Sequence, residues 1–199
     1  MDDILLAVAV SFMAFLSTSF DNLFLLVTLS LHPKYGVAKV RQGYLLAVLL
    51  MIGICLIFAH GIQKLPADFI PYIGFVPLGV GLYELWHLVR PHKSTARASS
   101  DVIPKAGGSF LTITLIMIAH SWDSIAVLAP LLSDTRPGLI GWMVASVLLA
   151  ATAFTFGAQK AIGHRRARSL LERYAPKILP FLLIGVGLYI LTNTPTDIT

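Results

Sequence analysis

The length of its apolar runs constrains this chain more than any other feature. Six stretches, roughly 4–31, 43–64, 69–89, 109–132, 138–158 and 177–193, are almost free of charge. About 20 mostly apolar residues cross the hydrocarbon core of a bilayer as a helix, and each stretch is of that order. Charged residues make up 13% of the 199-residue chain, against about 25% in soluble domains. They gather between the runs instead of marking one face of each. The short alternating segments of outer-membrane barrels are absent from the sequence. The sequence therefore predicts an all-α polytopic membrane protein with six transmembrane helices.

The basic residues give the orientation. Lys34, Lys39 and Arg41 separate runs 1 and 2. Arg90, Lys93, Arg97 and Lys105 separate runs 3 and 4. Lys160, Arg165, Arg166, Arg168, Arg173 and Lys177 separate runs 5 and 6. That is thirteen of the 15 basic residues, all in alternate connections, and only Lys64 and Arg136 lie in the others. Cytoplasmic loops carry such an excess, so both termini are expected outside the cytoplasm. A net charge of +5 distributed in this way reads as a topology and lipid-headgroup signal, and nucleic acid is not an expected partner. The start, Met1-Asp2-Asp3, lacks the basic region of a cleaved signal, so the first run is expected to stay as a helix. The single cysteine, Cys55, excludes an internal disulfide and a CxxC redox pair.

The segment 90–108 is rich in Ser, Ala, Gly, Pro and basic residues, as flexible linkers are. It divides the chain into 1–89 and 109–199, with three runs in each. The two parts resemble each other. "GVGLY" stands at 79–83 and at 185–189. "GYLLAVLL" at 43–50 aligns with "GWMVASVL" at 141–148, and "SFDN" at 19–22 aligns with "SWDS" at 121–124. An odd number of spans per copy forces the second copy to enter the membrane from the opposite side. The expectation is two inverted-topology three-helix repeats in one membrane domain, with the site near the midplane where they meet.

The aligned motifs place Asp21 and Asp123 in equivalent positions inside apolar runs. A carboxylate at the bilayer centre costs about 2.5–3.5 kcal/mol on insertion scales and normally marks an ion or proton path. In one unbroken helix, Thr18, Asp21 and Asn22 would share a face, as would His120, Asp123 and Ser124. Two carboxylates with an amide, hydroxyls and an imidazole suit a divalent cation. With no cation present the carboxylates repel, which favours proton uptake and gives a basis for metal–proton exchange. Glu84, near the cytoplasmic end of the third run, reads either as a relay to that site or as an interfacial partner of Arg90. Pro77, Pro130 and Pro180 fall within runs, where proline frees a carbonyl one turn earlier and can kink the helix.

Read in order, "TSFDNLFLL", "RQGYLLAVLLMI", "IGFVPLGVGLYELW", "AHSWDSIAVLAPLL", "FGAQKAIG" and "IGVGLYIL" resemble the cadmium-resistance transporter family, within the LysE-like exporter superfamily. The resemblance implies a small protein of the bacterial inner membrane that exports a divalent cation. Cadmium is the family's named substrate, with zinc or manganese as alternatives. The family's Asp-Asn of the second half is Asp123-Ser124 here, and no cysteine is adjacent in sequence to either aspartate.

No GxxxxGK[ST] loop is present, so the chain reads as a secondary transporter and not as an ATP-driven pump or an enzyme. No resident cofactor is expected, the metal being cargo. Export of an amino acid or other small polar solute is the alternative. No basic residue sits mid-membrane to meet a substrate carboxylate, although a helix N-terminus can serve instead. Six short spans are few for a transport path, which favours a homodimer.

Overall fold

The computed structural model describes residues 2–31, 35–66, 69, 71–89, 109–163, 178 and 180–192, and its regular elements are helices. They are α1 (Asp2–Thr18), α2 (Phe20–Leu31), α3 (Val37–Ile62), α4 (Phe75–Val89), α5 (Phe110–Ala119), α6 (Trp122–Asp134), α7 (Pro137–Gly163) and α8 (Pro180–Leu191). A 3-10 turn, Pro71–Gly74, leads into α4. The expected linker at 90–108 and the basic segment 164–177 lie outside the described residues.

Local chemistry accounts for two of the helix starts. Ser109 takes an extended backbone, and its hydroxyl accepts from the Leu111 N–H at the head of α5. Pro137 opens a helix, where a missing N–H costs nothing. Pro77 stands third in α4, also within the first turn. Pro130 lies deep inside a helix, and α6 continues through it. The chain is also interrupted away from its prolines, at Ser19 and at His120–Ser121.

The 26-residue α3 and the stretch Pro137–Ala158 of α7 are long and apolar enough to cross a membrane singly. Their most apolar windows have mean hydropathies of 2.7 and 2.0, yet only 33% of each window is buried inside the protein. So much outward apolar surface requires an apolar solvent. Leu5, Ile57, Leu115, Leu149 and Phe181 face outward in the same way. The pair α5–α6 qualifies as a third span if its two helices are taken together, with a 68° bend between them. Of the six expected runs, those at the first, third and sixth positions fold as helices of 12 to 17 residues.

Contacts fix the directions of packing. α3 lies mainly against α5 and α6. Thr114 Oγ1 donates to the Gly43 carbonyl at 3.1 Å near the start of both, and Gln63 Nε2 donates to the Ser133 carbonyl at 3.3 Å near their ends. The two therefore run parallel. α7 lies mainly against α1 and α2. Ser146 Oγ donates to the Val8 carbonyl at 3.0 Å, and further along Phe15 meets Phe154 edge-on at 5.9 Å and 69°, so α1 and α7 are parallel too. α4 and α8 are antiparallel. A Cβ on Gly81 would lie 2.9 Å from the Ile184 nitrogen, and a Cβ on Gly187 would lie 2.6 Å from the Leu78 nitrogen. In the alignment of the two "GVGLY" copies, Gly81 corresponds to Gly187 and Leu78 to Ile184, so these two contacts are each other's image.

Phe15 is fully buried at the α1–α7 seam. Its replacement by Ala is expected to cost about 3 kcal/mol, the low end for Phe→Ala, because lipid and not water receives the ring when helices separate. Thermal unfolding in detergent should show a midpoint lower by about 6–12 °C, at 2–4 °C per kcal/mol for a chain of this size.

Candidate functional site

Each of the two aspartate motifs sits at the interruption of a helix. In the first, α1 ends at Thr18 and α2 begins at Phe20, with Ser19 between. The interruption is slight, because the Ser19 N–H still donates to the Phe15 carbonyl and the Leu23 N–H to the Ser19 carbonyl. In the second, the chain tightens before it turns. The His120 N–H is shared between the Ile116 and Met117 carbonyls, and the Ser121 N–H donates to the Ile118 carbonyl three residues back. α6 then starts afresh at Trp122, 68° away. Both aspartates become the second residue of a new helix. At Asp123, after the full break, the helix dipole favours a negative charge.

The expected site residues separate into three groups. Asn22 and Ser124 are buried, 4% and 0% exposed, and Asp123 is half-buried with its Oδ1 inside the protein. Asn22 Nδ2 donates to Ser121 Oγ at 3.5 Å, a long bond that nonetheless brings the two motifs, almost a hundred residues apart in sequence, face to face. Asp21 lies in the first turn of α2, directly before Asn22, and its side chain lies outside the described residues. Thr18 is buried, but its hydroxyl is occupied by the Ala14 and Phe15 carbonyls at 3.1 and 3.4 Å. His120 and Glu84 are exposed. His120 caps the end of α5, across the 68° bend from Asp123 and Ser124. Glu84 stands on α4 between the exposed Tyr83 and Trp86.

The oxygens at the interruptions are unusual. Ser19 Oγ, Asn22 Oδ1 and Ser124 Oγ are buried and have no hydrogen-bond partner among the described residues. Each such group costs about 1–3 kcal/mol if nothing meets it. All three lie within the paired motifs, and oxygens of this kind can serve a hard cation. Among the described residues there is no cluster of three or more His, Cys, Asp or Glu, and Cys55 is buried on α3. The donors here are oxygens from Asp, Asn and Ser. Ser19 and Ser121 escaped sequence reasoning as site residues, although serine heads both aligned motifs and is a residue of helix starts.

Volume alone points elsewhere. A groove of about 620 Å³ between the first halves of α1 and α7 is lined by Ile4, Leu5, Val8, Phe12, Trp142 and Leu149, among other residues. The Ser146 hydroxyl on its wall is held by the Val8 carbonyl. This surface offers hydrocarbon contact and no ion chemistry.

Long apolar helices with outward faces, and polar side chains drawn inward at interrupted helices, define a helical membrane protein built as transporters are. The chain belongs to the cadmium resistance transporter family, whose model matches residues 15–197 and so takes in both motifs. Members are transporters and not enzymes. No curated protein and no solved structure matches the chain.

Proposed function

We propose that the chain exports a divalent heavy-metal cation, cadmium or one of similar charge, in exchange for protons. The cation would be held near the midplane by Asp21, Asn22, Asp123 and Ser124. One observation carries the reading: three buried oxygens without donors lie in the two aspartate motifs, and a direct Asn22–Ser121 contact joins those motifs. A dehydrated cation would satisfy all of them at once, and protons on the carboxylates would take its place on the return. Thr18 supports the site through the backbone. His120 and Glu84 are exposed and fit roles on the access path better than ligation.

The packing supports six alternating spans arranged as an inverted repeat. Spans of the same direction, 2 with 4 and 1 with 5, are the ones found parallel. Spans 3 and 6, of opposite direction, are found antiparallel with reciprocal glycine contacts. Lys39 and Arg41 share one end of the bundle with the start of α5, and Lys64 and Arg136 share the other. With the basic loops inside, as in a bacterial inner membrane, both termini face out. The amino-acid alternative is not favoured by family membership. A homodimer remains part of the proposal on grounds of span number alone.

Expression in a metal-sensitive bacterial host should restore growth in Cd2+, Zn2+ or Mn2+, with the widest margin for the true cargo. No protection against any of the three would return the amino-acid reading to first place.

A further inference from the structure

We infer that Ser121 is a positioning residue that sets the amide of Asn22, so that the Asn22 carbonyl oxygen and not its NH2 faces the cation. The inference rests on the site proposed above. Ser121 occupies the cap position of α6, where serine ordinarily accepts from a first-turn N–H, yet it makes no such bond. Its hydroxyl instead donates back to the Met117 carbonyl at 2.7 Å. Ser121 itself is 6% exposed.

A hydroxyl has one hydrogen. With that hydrogen given to Met117, the Ser121 oxygen can only accept, so the Asn22 atom facing it must be a donor. Nδ2 is the atom found there, at 3.5 Å. The amide is thereby held in one of its two orientations, with Oδ1 buried and without a donor. Rotated by half a turn, Asn22 would set two acceptors against each other at Ser121 and present an NH2 to a cation. Ser121 thus converts an ambivalent side chain into a cation ligand without touching the cation.

Asn22→Ala supplies the discriminating background, because with no amide at position 22 Ser121 has nothing to orient. Cd2+ transport by the full chain in lipid vesicles would be measured across Cd2+ concentration. Ser121→Ala should raise the half-saturating Cd2+ concentration about tenfold, the lower bound for loss of an outer-shell partner. Ser121→Thr, which keeps the hydroxyl, should stay within about twofold of the parent under the same reasoning. In the Asn22→Ala background, Ser121→Ala should change that concentration by less than about twofold, which is the coupling a double-mutant cycle detects. An equal loss in both backgrounds would overturn the inference and make Ser121 a general packing residue. If Asp123→Asn alone leaves transport intact, the site itself is wrong, a result separable from any outcome at Ser121.

Discussion

Asp123→Asn should reduce metal transport by more than about 100-fold while the protein still folds and inserts. Asparagine has the same shape as aspartate and also serves at helix starts, so the first turn of α6 keeps its acceptor. What disappears is the negative charge. Changing a residue that merely orients a ligand costs about 10–100-fold in metal affinity, and a charged ligand to a divalent ion should exceed that. Asp21→Asn should act in the same direction. Because both carboxylates would hold one ion, the double variant should be little worse than either single, the non-additivity expected of groups sharing one partner. The readout is the initial rate of Cd2+ entry into inverted membrane vesicles, with the amount of inserted protein measured beside it.

The second large effect lies at the crossing of α4 and α8. A Cβ on Gly187 would fall 2.6 Å from the Leu78 nitrogen and 2.8 Å from its Cα, so backbone must move. Two residues earlier, a Cβ on Gly185 would meet nothing within 4 Å. Gly187→Ala should therefore destabilise by about 1–3 kcal/mol, the usual cost of overpacking, whereas Gly185→Ala should be close to neutral. Melting in detergent should fall by about 2–12 °C for the first and scarcely move for the second. Gly81→Ala should follow Gly187→Ala, since a Cβ there would lie 2.9 Å from the Ile184 nitrogen. Equal behaviour of Gly185 and Gly187 variants would show that α4 and α8 do not pack as described.

These glycines show what the sequence could and could not convey. The repeat of "GVGLY" was visible as text, but its meaning as a close crossing depends on which of the two glycines in each copy faces the partner. Small residues look alike on every face until a neighbour is known. The apolar runs revealed the class because run length and charge exclusion are one-dimensional properties. The aspartate motifs were legible for the same reason, since a carboxylate in an apolar run is costly wherever the chain folds.

What the sequence hid was the helix interruption. His120, Asp123 and Ser124 share a face only if the helix is continuous, and the 68° bend removes His120 from that face. Nothing local forced the bend to Ser121. Pro130, the residue with the strongest claim to break α6, is accommodated within it. Packing of α6 against α3 and α1 overrides the local preference, and such long-range contacts have no signature in one sequence. Ser121 was not legible as a cap position because it becomes one only where the helix is interrupted, and there its bond is made elsewhere.

The central claim is that paired carboxylates at two interrupted helices carry a divalent cation against protons. The measurement that tests it most directly is simultaneous recording of Cd2+ and proton flux by the purified chain in sealed vesicles, with and without Asp21→Asn and Asp123→Asn together. The account predicts Cd2+ movement driven by an opposing pH gradient, dissipation of that gradient as Cd2+ moves, and loss of both fluxes in the double variant. Cd2+ flux that persists undiminished in the double variant would contradict it.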